Sequence, residues 1–161
     1  MNFALKGEVL AFQEIQAESM PVLNLPHPGY LSTRFSAFHP GIDIATGFGM
    51  PIHPITEGIV EEIQFGFWGL GNYIVISHPS GLRSTYGHTG RIFVKKDQVV
   101  SQNTTLGTVG MSGATSGPHT HLEIDKDGKL IDPTTILPKL DEYPKIISNQ
   151  AKLSKTLKLE F

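Results

Sequence analysis

Four histidines and one aspartate stand at spacings that suit a metal ion with hydrolytic chemistry beside it. His119 and His121 are two residues apart, and in a strand residues i and i+2 point to the same side of the sheet. His39 and Asp43 are four apart, again one face in a strand, and Pro40 and Gly41 between them argue against a helix. The chain has no cysteine, so any zinc must be held by histidine and carboxylate. Either pair alone is more often structural than metal-binding. Together they supply two histidines and one aspartate, a set that leaves tetrahedral zinc an open position for water. A metal in that state acidifies water and polarises a carbonyl, so peptide hydrolysis then needs only a positioned base and an acid. His88, near the end of a strand expected over Arg83 to His88, is the natural candidate for that work; its plain alternative is a histidine satisfied by backbone partners. Spacing by itself offers His119 and His121 equally to the metal.

The elements that must position these groups are short. Seventeen glycines and eleven prolines interrupt the chain too often for long helices, and the apolar segments between them are rich in Val, Ile, Phe and Tyr. Strands are predicted over Pro51 to Ile55, Gly58 to Phe65, Asn72 to Ser77, Arg83 to His88, Thr105 to Gly110 and His119 to Ile124, separated by turns. The fold class is therefore mostly β, a largely antiparallel sheet or sandwich. The loop Ser112 to Pro118 is glycine-rich and short-chained, which permits close backbone approach to a ligand. Phe65 to Gly71 forms an aromatic loop that could wall a groove. Its glycine pattern lacks the strand-to-helix setting that nucleotide binding requires.

A chain of 161 residues fits one domain, which buries roughly 70% of the surface its unfolded chain exposes. Residues 24–137 form that domain. Residues 1–23 are a leader whose Phe3, Leu5, Val9, Leu10 and Phe12 suit either a strand or a short helix. Residues 138–161 are a C-terminal extension that carries lysines and no glycine. Its end, Thr156 to Phe161, alternates like an edge strand, and Ile146 to Leu153 suits a short helix. The formal charge of −2 gives no basic surface for nucleic acid or anionic lipid, and no apolar run is long enough to span a membrane. Lys6, Glu8, Glu14 and Glu18 break up any signal-peptide core, so an export signal is expected to have been removed or to lie upstream.

Three segments in order carry a family resemblance. They are Phe38-His39-Pro40-Gly41-Ile42-Asp43-Ile44-Ala45; Gly71-Asn72-Tyr73-Ile74-Val75-Ile76-Ser77-His78 followed by Tyr86-Gly87-His88-Thr89; and Ser116-Gly117-Pro118-His119-Thr120-His121-Leu122-Glu123-Ile124 with Asp132-Pro133 after it. With these the chain resembles the lysostaphin-type, or LytM-like, zinc endopeptidases over about residues 24–137. The resemblance implies a fold of the duplicated hybrid motif type with a groove. It also implies one zinc ion per chain on His39, Asp43 and His121, with His88 and His119 as catalytic histidines. The expected function is hydrolysis of peptide bonds in bacterial cell-wall peptidoglycan, outside the cytoplasm, with peptidoglycan peptides as partner. Those two histidines would take the proton of the attacking water, stabilise the oxyanion and reprotonate the leaving amine, with activity falling below roughly pH 6.

Thr120 and Thr89 stand where the family more often has Leu, which puts substrate preference in question. His27 between prolines, His53 in an apolar strand and His78 in a turn are given no role. Two other readings compete. A non-catalytic or latent module of the same fold would bind the wall or activate another wall hydrolase, and a structural zinc domain would need a fourth protein ligand.

Overall fold

The computed structural model describes residues 21–142. The leader and tail segments read above as strand or helix, Phe3 to Phe12 and Ile146 to Phe161, lie outside them. Twelve strands are described: β1 (Tyr30–Thr33), β2 (Ile42–Ala45), β3 (Pro51–Ile52), β4 (Gly58–Gln64), β5 (Tyr73–Ser77), β6 (Leu82–Gly87), β7 (Thr89–Ile92), β8 (Val99–Val100), β9 (Gly107–Val109), β10 (His119–Lys126), β11 (Lys129–Ile131) and β12 (Asp141–Glu142). The expected β architecture is therefore observed. The main sheet has nine strands in the order β12-β1-β2-β10-β6-β5-β4-β8, with β11 also on β10; β3, β9 and β7 form a second sheet. Pairing is antiparallel except between β1 and β12.

Alternation along the strands decides which side chains meet. Ile42 and Ile44 of β2, Ile74 and Ile76 of β5, Tyr86 of β6, and Leu122 and Ile124 of β10 face the core with no exposed surface. Their neighbours Asp43, His119, His121 and Glu123 consequently fall on the opposite face of β2 and β10. Antiparallel register then sets His121 directly across from Asp43 on one side and from Gly87 on the other. His39 corrects the sequence expectation. It precedes β2 in a turn bridged to Ser36 rather than lying in a strand, because Pro40 cannot continue the ladder. Gly41 is required there: a Cβ would sit 2.4 Å from the Leu122 carbonyl oxygen, so only glycine lets this turn press against β10.

Thr120 and Thr89 face inward. Neither reaches the site face. Both are fully buried, Thr89 Oγ1 donating to Tyr86 O at 3.0 Å and Thr120 Oγ1 standing 2.8 Å from His27 Nε2, so neither side chain lines the cleft. The Pro28 carbonyl, 2.9 Å from His27 Nδ1, can only accept, which places the proton on Nδ1 and leaves Nε2 to accept from the Thr120 hydroxyl. Burial holds the His27 ring below its ordinary pKa, and this neutral tautomer follows. The pair behaves as a unit, which predicts a specific pattern in urea denaturation. His27→Leu, which strands a buried hydroxyl, should destabilise by about 1–3 kcal/mol, whereas His27→Leu with Thr120→Val should recover most of the loss. Additive losses in the double variant would contradict this account.

Candidate metal centre

Three of the four site histidines are fixed by a backbone carbonyl. His39 Nδ1 lies 2.8 Å from Gly41 O, His88 Nδ1 lies 2.8 Å from Ser112 O, and His119 Nδ1 lies 2.9 Å from Gly117 O. A carbonyl has no hydrogen to give, so in each neutral ring Nδ1 carries the proton and Nε2 presents a lone pair. The lone pairs of His39 and His119 both point at Asp43 Oδ1, at 3.1 and 3.5 Å. Facing lone pairs of this kind are reconciled by a proton or by a metal ion placed between them. His121 completes the convergence, its Nδ1 lying 2.8 Å from the same oxygen, and the ligand atoms of His39, Asp43 and His121 all fall within 4.8 Å of one another. The donor set of two imidazoles and one carboxylate therefore fits zinc with room for a further ligand.

The electrostatics agree. Burial pushes the Asp43 carboxyl up, but hydrogen bonds from His121 and Thr33 and the nearby His119 and His39 outweigh it, so its pKa falls to about 2. Burial pushes His121 down, yet its bonds to Asp43 and Glu123 raise it to about 9. Without metal the pair thus holds a carboxylate against an imidazolium. Its contribution to stability is lost as pH falls from the ordinary carboxyl range through about 2, and again as pH rises from the ordinary histidine range through about 9.

Glu123 is the residue that sequence reasoning quoted and did not assign. Two places along β10 from His121, it shares the site face, and its Oε1 lies 3.1 Å from His121 Nε2. The period-two rule applied once more along the strand would have found it.

His88 stands across the cleft, as its strand-end position predicted, though β6 ends one residue earlier, at Gly87. Its backbone is left-handed, with φ of +56°, an uncommon conformation for a side-chain-bearing residue. The turn is held by His88 N–H donating to Leu70 O at 2.7 Å and Gly110 N–H donating to His88 O at 3.1 Å. Its ring centroid lies 4.6 Å from that of His119 and 6.1 Å from that of His121. Burial lowers the His88 pKa below the ordinary histidine value, which keeps the ring neutral and its Nε2 able to accept a proton at neutral pH. All five residues singled out from sequence are thus gathered around one cleft. His53 and His78 are elsewhere, bonded through Nδ1 to the carbonyls of Thr104 and Glu57.

Beside His119 a groove of about 750 Å³ runs between Pro28–Tyr30, Ala45–Gly47 and Ser116–Pro118. Among the described residues no helix is long and apolar enough to cross a membrane.

Comparison with known proteins places this arrangement. Peptidoglycan DD-endopeptidase ShyC of Vibrio cholerae is 33% identical over 156 residues, 97% of this chain and 34% of ShyC. Murein hydrolase activator NlpD of Salmonella typhimurium is 34% identical over 99 residues, 62% of this chain and 26% of that protein. The chain thus spans roughly a third or less of these relatives. A zinc-containing peptidase from Vibrio cholerae superposes with a TM-score of 0.57 at 29% identity, covering 76% of this chain and 39% of that one. Residues 37–133, which hold all five site residues, match the model for peptidase family M23. The chain belongs to peptidase family M23, a family of lysostaphin-like metalloproteases.

Proposed function

We propose that this chain is a zinc-dependent endopeptidase that hydrolyses peptide bonds of bacterial cell-wall peptidoglycan. Its ligands are His39, Asp43 and His121, its catalytic residues are His88 and His119, and it works in the cell envelope. The observation that carries the reading is the gathering of ligand atoms of His39, Asp43 and His121 within 4.8 Å of one another, beside two further histidines whose Nδ1 atoms are engaged by backbone carbonyls. Zinc in such a site supplies a Lewis acid that polarises the scissile carbonyl and acidifies water. His88 and His119, whose Nδ1 atoms are each engaged by a backbone carbonyl, accept the proton of the attacking water through Nε2 and return it to the leaving amine. As imidazolium, either one also stabilises negative charge developing on the carbonyl oxygen. Glu123 acts through His121, accepting from its Nε2–H and so orienting Nδ1 toward the metal.

The relatives include both a DD-endopeptidase and a hydrolase activator, and one experiment separates those roles. Purified peptidoglycan treated with this chain alone should release fragments cut at peptide bonds with the sugar chain intact. Release only when a second wall hydrolase is added would assign the activator role instead.

Metal uptake should depend steeply on pH. Between about pH 6.5 and 9 the metal-free His121 keeps a proton that zinc must displace, so apparent affinity should rise roughly tenfold per unit and level off above about 9. Competition against a chromophoric chelator at pH 6.5, 7.5 and 8.5 measures this; an affinity constant across that range would contradict the arrangement at His121.

A further inference from the structure

Four loops meet around the cleft, and they share a composition. Residues 36–40, 46–50, 65–71 and 109–118 contain no Lys, Arg, Asp or Glu. They do contain Phe38, Phe48, Phe67, Trp68 and Met111, all exposed; Phe38 is 99%, Phe67 92% and Trp68 88% accessible. Three of the loops, 46–50, 65–71 and 109–118, are tied together and to His88 by the backbone. Thr46 N–H donates to Pro118 O, Gly49 N–H to Val109 O, Ala114 N–H to Gly69 O, and His88 N–H to Leu70 O. Gly71 and Gly113 lock two of them in contact: a Cβ on Gly71 would lie 2.4 Å from Gly113 N, and one on Gly113 would lie 2.3 Å from Gly71 N, both at positive φ. Phe48, Phe67, Trp68 and Met111 are therefore carried on a fastened frame joined to His88, and Phe38 stands next to His39, so the exposed aromatics border the candidate centre.

We infer that this uncharged aromatic rim binds the neutral sugar chain of the polymer whose peptides the centre cuts, an inference that rests on the endopeptidase reading. Flat aromatic side chains offer rigid contact area at small entropic cost, and the C–H face of a pyranose ring is an apolar surface of matching size. The absence of charge argues against the other occupants. A bilayer surface is ordinarily met by aromatics interleaved with Lys and Arg, and a nucleic acid by cations on its phosphates; the four loops supply neither. Continuity with the cleft gives the contact its use, because a peptide branching from a sugar held on the rim is delivered within reach of His88 and His119.

Trp68 is the single tryptophan, so its emission reports on the rim directly. The full chain, zinc-loaded, is titrated with soluble wall sugar oligomers stripped of their peptides. A saturable change in emission is expected, and the same change in His121→Ala, since the rim does not depend on the metal. Phe67→Ala should weaken that binding by about tenfold, the scale of one aromatic contact. In Trp68→Ala, retention on insoluble peptide-free sugar chains should fall by a similar factor. Because the His121→Ala titration requires no hydrolysis, it separates failure of this inference from failure of the endopeptidase reading. No response to the oligomers would overturn the inference, and so would a response only to phosphatidylcholine vesicles or only to sugar-free peptides.

Discussion

Alanine at His88 or at His119 will leave zinc content unchanged and lower kcat on peptidoglycan peptides by about 10²–10⁴-fold, the usual contribution of a positioned general acid or base. The separation of the two effects comes from the geometry. Neither ring is needed to gather His39, Asp43 and His121 around one point. His88 gives its Nδ1–H to Ser112 O, which leaves Nε2 unprotonated in the neutral ring. His119 does the same through Gly117 O. Because burial lowers the His88 pKa, the wild-type rate should hold as pH falls to the ordinary histidine range and decline only below about 6.5, as the base takes up its proton. Zinc content and initial rates of purified variants decide the matter; full activity in both alanine variants would remove these histidines from the mechanism.

The second large effect is at the metal. His121→Ala should lose zinc on dialysis and cut hydrolysis by at least about 10³-fold while keeping a folded sheet. The fold survives because β10 is anchored by the side chains on its other face, Thr120, Leu122 and Ile124, all without exposed surface. The site does not, because Asp43 loses the hydrogen-bond partner 2.8 Å away that does most to lower its pKa, and only two of the three proposed ligands, His39 and Asp43, remain. Metal analysis after dialysis, with far-ultraviolet circular dichroism as the control, reads both halves of this prediction. A variant that retains zinc with wild-type affinity would exclude His121 as a ligand.

The longer strands were legible because turn residues punctuate them. Gly58 to Phe65, Asn72 to Ser77 and His119 to Ile124 stand out as short segments rich in β-branched and aromatic residues or alternating histidines, bounded by turn residues, and the observed β4, β5 and β10 follow them closely. The prediction over Pro51 to Ile55 overran, since β3 ends at Ile52 and His53 turns to bond Thr104 O. The short strands Val99–Val100, Lys129–Ile131 and Asp141–Glu142 were not legible, because two or three residues carry no period and owe their pairing to partners distant in sequence. In the site, residue types and spacing brought forward His39, Asp43, His88, His119 and His121. What spacing could not supply was orientation. Only the carbonyls of Gly41, Ser112 and Gly117, contributed by loops, reveal which nitrogen of each ring faces the cleft. The His27–Thr120 pair was equally hidden, its partners lying 93 residues apart.

The measurement that tests the central claim most directly is zinc stoichiometry together with release of new amino termini from purified peptidoglycan, wild type beside His121→Ala. The account predicts a single bound zinc per wild-type chain, amino termini that appear with time and stop on chelation, and neither in the variant. Wild-type chain that binds zinc yet releases no amino termini from the wall would contradict it.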